Sequence, residues 1–162
     1  MVVKTSPSLT PGLDLAYLSL FLGLRVNQLV MEQMRATGFQ QVRESHGYLI
    51  QHLIESDRTI TELAGRMEIT QQATSKAVSE LVTLGVLELI VGSDRREKAV
   101  RLSKRGWTLV RLGRRARRSI ERQLIRIAGR EEYGQAKLVL AACLDALGGT
   151  ERVRLRRVLP PQ

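Results

Sequence analysis

Apolar side chains occupy most positions of residues 11–37, which we predict to form one long helix. Pro11 suits a first helical position, Thr10 precedes it as a candidate cap, and Gly38 provides a stop. The apolar residues wrap more than one face of this helix, so most of its sides must be covered. The simplest cover is a second copy of the chain, together with a C-terminal helix over residues 136–147. A central helix in a monomeric bundle is the alternative.

Residues 40–105 change to a pattern of shorter elements. The spacing predicts a helix over 43–54, an extended segment over 58–60, a short helix capped by Thr61 and a second helix after Thr70. The buried side of that second helix is predicted to hold Ala73, Ala77, Val78, Leu81 and Leu84, and its left-handed stop is Gly85. Two short helices about one turn apart are typical of a helix-turn-helix unit.

A predicted β-hairpin follows these two helices. Residues 86–91 form its first strand, residues 92–96 its turn, and residues 98–102 its returning strand. This order predicts a mainly α fold with a small β-hairpin wing, in which a winged helix-turn-helix domain is joined to a helical dimerisation region. The predicted divisions are a flexible lead-in at 1–10, helical dimerisation segments at 11–38 and 104–150, the winged domain at 40–103, and a basic tail at 151–162.

The helix predicted from residue 104 to residue 129 is amphipathic. Its apolar side carries Leu109, Leu112, Ala116, Ile120, Leu124 and Ile127, whereas its opposite side carries Arg111, Arg115, Arg118, Arg122 and Arg126. At 1.5 Å per residue this helix is roughly 39 Å long, which is enough to connect the two regions. The sequence alone assigns no role to this arginine stripe or to the basic tail.

The net charge is concentrated in one part of the chain. The sequence has 26 Lys and Arg against 16 Asp and Glu, a formal net charge of +10. Residues 94–130 hold 14 of the basic side chains and three of the acidic ones, so nearly all of the excess is local. A local excess of this size predicts a polyanionic partner that approaches one surface.

The remaining composition excludes several classes of protein. Cys143 is the single cysteine, so there is no intramolecular disulfide framework, and we expect a cytoplasmic protein. The most apolar run, residues 15–24, has about half of the roughly 20 residues that a membrane span needs. His46 and His52 lie six residues apart rather than four, so they do not form a helical metal pair. We expect no metal and no cofactor.

Residues 59–106 carry a more specific pattern. A turn Thr, a helix Leu and a Gly-Val-Leu step fall on Thr70, Leu81 and residues 85–87, and a wing pattern falls on Asp94, Arg96, Leu102, Ser103 and Gly106. These positions resemble the DNA-binding domain of MarR-type transcriptional regulators, with no gap in spacing. Thr74 and Ser79 depart from the common pattern, in which an apolar residue and Asp are usual. The departures bear on which DNA is read.

The resemblance implies a transcriptional regulator, which we expect to be a repressor that binds double-stranded DNA sequence-specifically. In the family the flanking helices intertwine in a dimer, so we expect a homodimer on a pseudo-palindromic operator. Its half-sites would lie about 10 base pairs apart, because two-fold related recognition helices enter the major groove one DNA turn apart. Many family members release DNA when a small aromatic or phenolic ligand enters the cleft between the helical region and the winged domain.

Candidate DNA-binding residues follow from this arrangement. The first turns of a recognition helix face base edges, and Gln amides and Lys ammonium groups suit adenine and guanine edges. Arginines at a hairpin tip suit the minor groove, and the family inserts the one that matches Arg96. The recognition-helix candidates are Thr70, Gln71, Gln72, Thr74, Ser75 and Lys76; the wing candidates are Asp94, Arg95, Arg96 and Lys98; the phosphate-contact candidates are Arg43, Ser45 and Thr61.

Candidate effector contacts are the aromatic and histidine side chains that the cleft could hold: Tyr17, Phe21, His46, Tyr48, His52 and Trp107. An enzyme is disfavoured, because the chain has no Gly-rich phosphate loop, no nucleophile elbow and no metal-ligand spacing. The alternative function is a ligand-independent architectural or protein-docking winged-helix module. It would bind with a steep salt dependence and no sequence preference.

Overall fold

The structure, a computed structural model, describes residues 12–91 and 98–155. In chain order these residues form α1 (Leu15–Arg35), α2 (Glu44–His52), β1 (Arg58–Thr59), α3 (Ile60–Met67), α4 (Gln71–Thr83), β2 (Leu87–Val91), β3 (Lys98–Leu102), α5 (Lys104–Ala128), α6 (Arg130–Ala146) and α7 (Thr150–Arg154). The predicted mainly α class with a small β-sheet is confirmed. The predicted lead-in at 1–10 and turn at 92–96 lie outside the described residues.

Helix α1 begins later than predicted. Its N-cap is Asp14, whose carboxylate accepts a hydrogen bond from the Tyr17 backbone N–H at 2.9 Å. Thr10 and Pro11, the predicted start, lie outside the described residues. The chain leaves the helix through Gly38, which has a φ of +92°. This left-handed conformation favours glycine, so the predicted stop is confirmed.

Helices α3 and α4 form the predicted helix-turn-helix. The cap of α3 is Thr59 rather than Thr61, and its hydroxyl and the Glu62 carboxylate bond each other's backbone N–H groups. This reciprocal arrangement explains the earlier helix start, because it satisfies two donors at once. Thr70 caps α4 as predicted, accepting from the Ala73 N–H at 3.1 Å, and Gly85 follows α4 with a φ of +67°.

The sheet has three antiparallel strands in the order β1-β3-β2 in the described part of the chain. Strands β2 and β3 form the predicted hairpin, with Leu87 opposite Leu102 and Val91 opposite Lys98. The extended segment predicted at 58–60 is the third strand, and it pairs Arg58 with Val100. The sheet therefore ties the start of the helix-turn-helix to the wing.

Helix α5 connects the sheet to the helical region. The Ser103 hydroxyl caps it by accepting from the Gly106 N–H at 2.9 Å, and the Ser103 N–H donates to the Val86 carbonyl at 3.0 Å. Its buried side packs on α1 and β3, in one core with the apolar residues of α2, α3 and α4. The helix ends at Ala128, with Gly129 as its cap, close to the predicted end.

Two helical surfaces remain uncovered in this single chain. The N-terminal half of α1 exposes Leu15, Tyr17, Leu20, Phe21, Leu22 and Leu24, Leu13 just before the helix is also exposed, and α6 exposes Leu138, Val139, Leu140 and Leu144. Only the C-terminal half of α1 is buried, through Val30 and Met34. In the described chain the first half of α1 is therefore not covered on most of its sides. None of the helices in the described ranges is both long and apolar enough to span a membrane.

Candidate nucleic-acid interface

The two faces of α4 differ sharply in burial. Thr74, Val78 and Leu81 are buried against the core, whereas Gln72, Ser75, Lys76 and Ser79 are exposed. The side chains of these four make no hydrogen bond or ion pair with residues 12–91 or 98–155. The α4 polar face, which we define as these four residues, is thus available to a partner.

The structure corrects two predictions about α4, one for Thr74 and one for Ala73. Its side chain is fully buried, and its hydroxyl donates to the Thr70 carbonyl one turn earlier at 3.0 Å. It cannot contact a base from this position. Ala73, which was assigned to the buried side, is exposed instead. A threonine hydroxyl that bonds its own helix backbone is satisfied without water, so Thr74 can occupy a buried position where the pattern that the sequence resembles has an apolar residue.

Three other residues predicted for this surface have partners near α4. Thr70 caps the helix, and Thr61 accepts a hydrogen bond from the Gln71 side-chain amide at 3.2 Å. Gln71 is therefore held against α3 in this structure. Ser79 was not among the predicted site residues, although it lies one turn beyond Ser75 and is also exposed. A helical-wheel projection with Thr74 and Val78 at the centre of the buried side would have placed Ser79 on the exposed side.

Arg43 joins α4 from the start of α2. Its guanidinium bonds the Glu80 carboxylate, and the His46 Nε2–H donates to the same carboxylate at 3.0 Å. The His46 Nδ1 in turn accepts from the Arg43 backbone N–H at 3.2 Å. The Arg43 guanidinium also lies 3.0 Å from His46 Nε2, so the three side chains form one cluster. A groove of about 500 Å³ beside this cluster also contacts Lys76 and Ser79.

The electrostatics of this cluster follow from burial. Burial is the main effect that holds the pKa of His46 below 6.5, and the nearby Arg43 charge lowers it further, whereas Glu80 opposes the shift. The hydrogen bond from His46 is the main effect that holds the pKa of Glu80 below 4.5. Glu80 is the one acidic residue of α4, and these partners keep its charge at the edge of the polar face.

The other predicted contacts are distributed around the winged region. Ser45 is exposed in the first turn of α2, and Lys98 is exposed at the start of β3. Asp94, Arg95 and Arg96, the predicted wing tip, lie outside the described residues. Their roles remain predictions.

A separate cavity of about 510 Å³ lies between α1, α2 and α5. Its lining includes Met31, Met34, Tyr48, Val110, Arg114 and Arg117. The Tyr48 hydroxyl is 3.4 Å from a Glu44 carboxylate oxygen, and partial burial is the main effect that raises its pKa. The cavity therefore combines an apolar floor with cationic and phenolic groups.

Tyr48 is the predicted effector contact that lines this cavity, and the other five lie elsewhere. Tyr17 and Phe21 stack on each other at 6.2 Å on the exposed half of α1. His46 belongs to the Arg43 cluster, and His52 is buried, with its carbonyl accepting from Arg58 at 2.9 Å. Trp107 is partly exposed on α5. Aromatic character alone did not indicate which side chains face the cleft.

No metal site accompanies these groups in the described residues, where no cluster of three or more His, Cys, Asp or Glu side chains is arranged to hold an ion. Cys143 is a free, half-buried thiol on α6.

Comparison with known proteins places this fold. The structure superimposes on S. aureus MepR, a transcription regulator of the multidrug efflux pump MepA, with a TM-score of 0.69 at 19% identity over 83% of this chain and 99% of MepR. It also matches E. coli MarR, with a TM-score of 0.64 at 16% identity over 82% of this chain and 97% of MarR. The chain has the fold of the MarR-type regulators. The predicted resemblance and fold class are confirmed.

The comparison extends to sequence and to a complex. The chain is 29% identical to the transcriptional regulator MntR of E. coli O157:H7 over 138 residues, which cover 75% of this chain and 86% of MntR. No protein-family model matches the chain. A mutant of MepR has been solved bound to an oligodeoxyribonucleotide, and it matches with a TM-score of 0.63 at 19% identity. These similar proteins are regulators rather than enzymes, as the sequence led us to expect.

Proposed function

We propose that the chain is a transcription regulator that binds double-stranded DNA sequence-specifically as a homodimer and represses by occupying a pseudo-palindromic operator. The observation that carries this proposal is the α4 polar face. Four hydrogen-bonding side chains lie on the second helix of a helix-turn-helix, opposite its buried side, and form no hydrogen bond or ion pair within the described residues. That is the placement that base recognition in the major groove requires.

The chemistry of the α4 polar face suits base edges. The Gln72 amide can donate to and accept from one adenine, and Lys76 can donate to guanine or to a phosphate, at about 1 to 3 kcal/mol for each good base contact. The Arg43 guanidinium compensates the Glu80 charge and His46 hydrogen-bonds the same carboxylate, so the acid of α4 repels the phosphates less. The likeness to a MepR mutant solved with an oligodeoxyribonucleotide supports DNA as the ligand.

The exposed apolar surfaces support a homodimer. Leu20 and Phe21 on α1 and Leu138 and Val139 on α6 are each about half exposed or more in the single chain. Apolar patches of this kind mark association surfaces. Two copies related by a two-fold axis would cover them and present two copies of α4 to one face of the duplex.

The cavity between α1, α2 and α5 supports release by a small aromatic or phenolic effector. Its volume of about 510 Å³ lies within the range of small-molecule sites. An occupant would touch α2 of the winged region and both long helices at once, so it would change how the two regions pack. Phenol and benzoate are the probes. Benzoate should release DNA at a lower concentration than phenol does. Arg114→Gln should remove this difference between the two probes while leaving the response to phenol unchanged.

The test of the proposed function is a base-resolved binding assay with variants of the full chain. A duplex selected from a random library is titrated with Gln72→Ala, with Lys76→Ala and with Gln33→Ala, an exposed glutamine of α1 that serves as the matched control. Gln72→Ala should lose preference at particular base pairs by about 1 to 3 kcal/mol. Lys76→Ala should weaken binding, and Gln33→Ala should match the wild type. Unchanged binding by both α4 variants would contradict the proposal.

A further inference from the structure

A row of five exposed arginines runs along α5, outside the candidate interface on α4. This arginine face consists of Arg111, Arg115, Arg118, Arg122 and Arg126. It lies directly opposite the buried side of the helix, which holds Leu109, Ala116 and Ile120. From first to last it spans roughly 22 Å at 1.5 Å per residue.

The charge of the arginine face is not compensated within the described chain. None of the five forms an ion pair with residues 12–91 or 98–155, and Arg111 donates only to the neighbouring Thr108 hydroxyl at 2.8 Å. The one acid of α5 is Glu121, which faces α6 and bonds the Tyr133 hydroxyl and Lys137 Nζ at 3.2 and 3.4 Å. Five cations in a row therefore repel one another unless an anion binds.

Dimerisation as proposed above leaves this face open. The apolar surfaces that need cover lie on α1 and α6, and Ile127, which is 82% exposed, projects from the side of α5 opposite the arginines. Two arginine faces brought together would repel each other. A second copy of the chain that presents the same face is therefore not its occupant.

The composition of the face favours nucleic acid over an acidic protein. Protein interfaces have an apolar or aromatic centre that is depleted in charge, whereas this face has no apolar side chain between its arginines. A phosphate backbone requires only charge and hydrogen-bond donors, and guanidinium groups bind phosphate in a bidentate manner. The regular spacing of about one arginine per helical turn presents these donors as a line.

The face is also structurally separate from α4. Helix α4 packs on α2, α3 and β2, whereas α5 packs on α1, α6 and β3. The arginines begin roughly 12 Å along α5 from its cap at Ser103 and continue away from the wing strand. The α4 polar face and the arginine face therefore lie on helices that pack on different elements of the fold.

We propose that the arginine face binds the phosphate backbone of a second segment of double-stranded DNA, so that one protein holds two duplexes together. This inference rests on the proposed function, because operator binding brings the protein to DNA, where a second segment is present at high effective concentration. Binding at the face is independent of sequence and depends steeply on salt, because it releases counterions from phosphates.

The test is capture of a second duplex by the full chain. The selected duplex is immobilised and saturated with protein at about 150 mM salt, and a fluorescent scrambled duplex is then added. Arg115→Gln with Arg122→Gln removes two charges from the face. Arg35→Gln with Arg130→Gln removes two exposed arginines from α1 and α6 and is the matched control. Circular dichroism of each variant checks its fold.

The wild type and the control should capture the scrambled duplex, and the face variant should lose capture about ten-fold or more while keeping its affinity for the selected duplex. In a plot of the logarithm of the capture constant against the logarithm of salt concentration, the face variant should have a shallower negative slope than the wild type. The difference should be about 2, close to one for each lost phosphate contact. Equal capture by the face variant and the wild type would overturn the inference. So would a wild type that captures no second duplex.

The two proposals fail in different ways in this experiment. If the protein does not prefer the selected duplex, the proposed function fails, whereas capture that depends on Arg115 and Arg122 still supports the arginine face. If the selected duplex is preferred but no second duplex is captured, the inference on the face fails alone.

Discussion

The winged region and the outer helices use apolar side chains in opposite ways. In residues 40–103 the large apolar residues are mostly buried, and Leu49, Leu63, Leu81 and Val100 are completely so. On α6 no residue is buried, and the first half of α1 exposes most of its leucines. The winged region thus completes its core within one chain, whereas the outer helices leave apolar side chains exposed in the single chain.

The largest effect on stability should come from adding a side-chain atom at Gly106, where α5 packs closely against the backbone of the winged region. A Cβ at Gly106 would overlap the Val86 carbonyl oxygen, whereas a Cβ at Gly113 would meet only the Met34 sulfur at 3.8 Å. Gly106→Ala should therefore destabilise the protein by about 1 to 3 kcal/mol or more, as overpacking does. Urea unfolding measures this difference.

Gly113→Ala is the matched control on the same helix. It should be neutral or stabilising, because alanine is favoured over glycine inside a helix by roughly 0.5 to 1 kcal/mol. Equal stability of the two variants would mean that α5 does not lie this close to the strand that follows α4.

The next effect should separate the two regions by assembly state. Leu138→Glu places a charge on the exposed apolar surface of α6, and it occurs twice in a two-fold interface. At about 1.5 kcal/mol or more for each buried leucine, the dimer dissociation constant should rise about 100-fold. Sedimentation velocity over a concentration series gives this constant.

Leu89→Glu provides the control, because Leu89 on β2 is also exposed, at 47% against 67% for Leu138. It should leave the dimer intact. A wild-type chain that sediments as a monomer at all concentrations would contradict the account of the outer helices.

A smaller effect should appear in how the free energy of unfolding depends on pH, through His46 in the winged region. The pKa of His46 is lowered from 6.5 in the folded chain, so the unfolded chain binds a proton first as pH falls. Stability should therefore decline as pH falls from about 7 through 6.5 and below. The lowered pKa of Glu80 acts in the same direction, but only below about pH 4.5.

Urea unfolding between pH 7.5 and 5.5 isolates the contribution of His46. The decline should be reduced in His46→Gln, which keeps a side-chain amide near Glu80 but does not titrate. An equal decline in this variant would assign the pH dependence to other groups.

The smallest effect should come from Thr74. Thr74→Val removes the hydroxyl that donates to the Thr70 carbonyl, at a cost of about 1 kcal/mol. Because the side chain is buried, the base preference of the protein should not change. Selection of binding sites with this variant checks the point, and an altered preference would mean that Thr74 reaches the DNA.

Much of this fold could be predicted, because its signals are local. Helix periodicity, the Thr70 cap and the Gly38 and Gly85 stops each act within a few residues, and strands β2 and β3 are neighbours in sequence. Strand β1 was predicted only as an extended segment, since its pairing with β3 joins residues about 40 positions apart.

The residues of the candidate site were less predictable, because burial in the folded chain decides which side chains can contact a partner. Thr74 is polar in composition but satisfied by its own helix backbone, so residue type indicated the wrong face for it. His46 was assigned to a ligand cleft by residue type, whereas its contacts with Arg43 and Glu80 place it beside α4. Of the predicted effector contacts, only Tyr48 lies where three helices create a cavity.

The most direct test of sequence-specific recognition is the affinity ratio between two duplexes. The full chain is used to select a duplex from a random library, and the selected and scrambled duplexes are then titrated at about 150 mM salt. We predict a selected sequence with two-fold symmetry that is bound about 10³-fold or more tightly than its scrambled counterpart. Equal affinities for the two duplexes would contradict the account and favour an architectural module that binds DNA without regard to sequence.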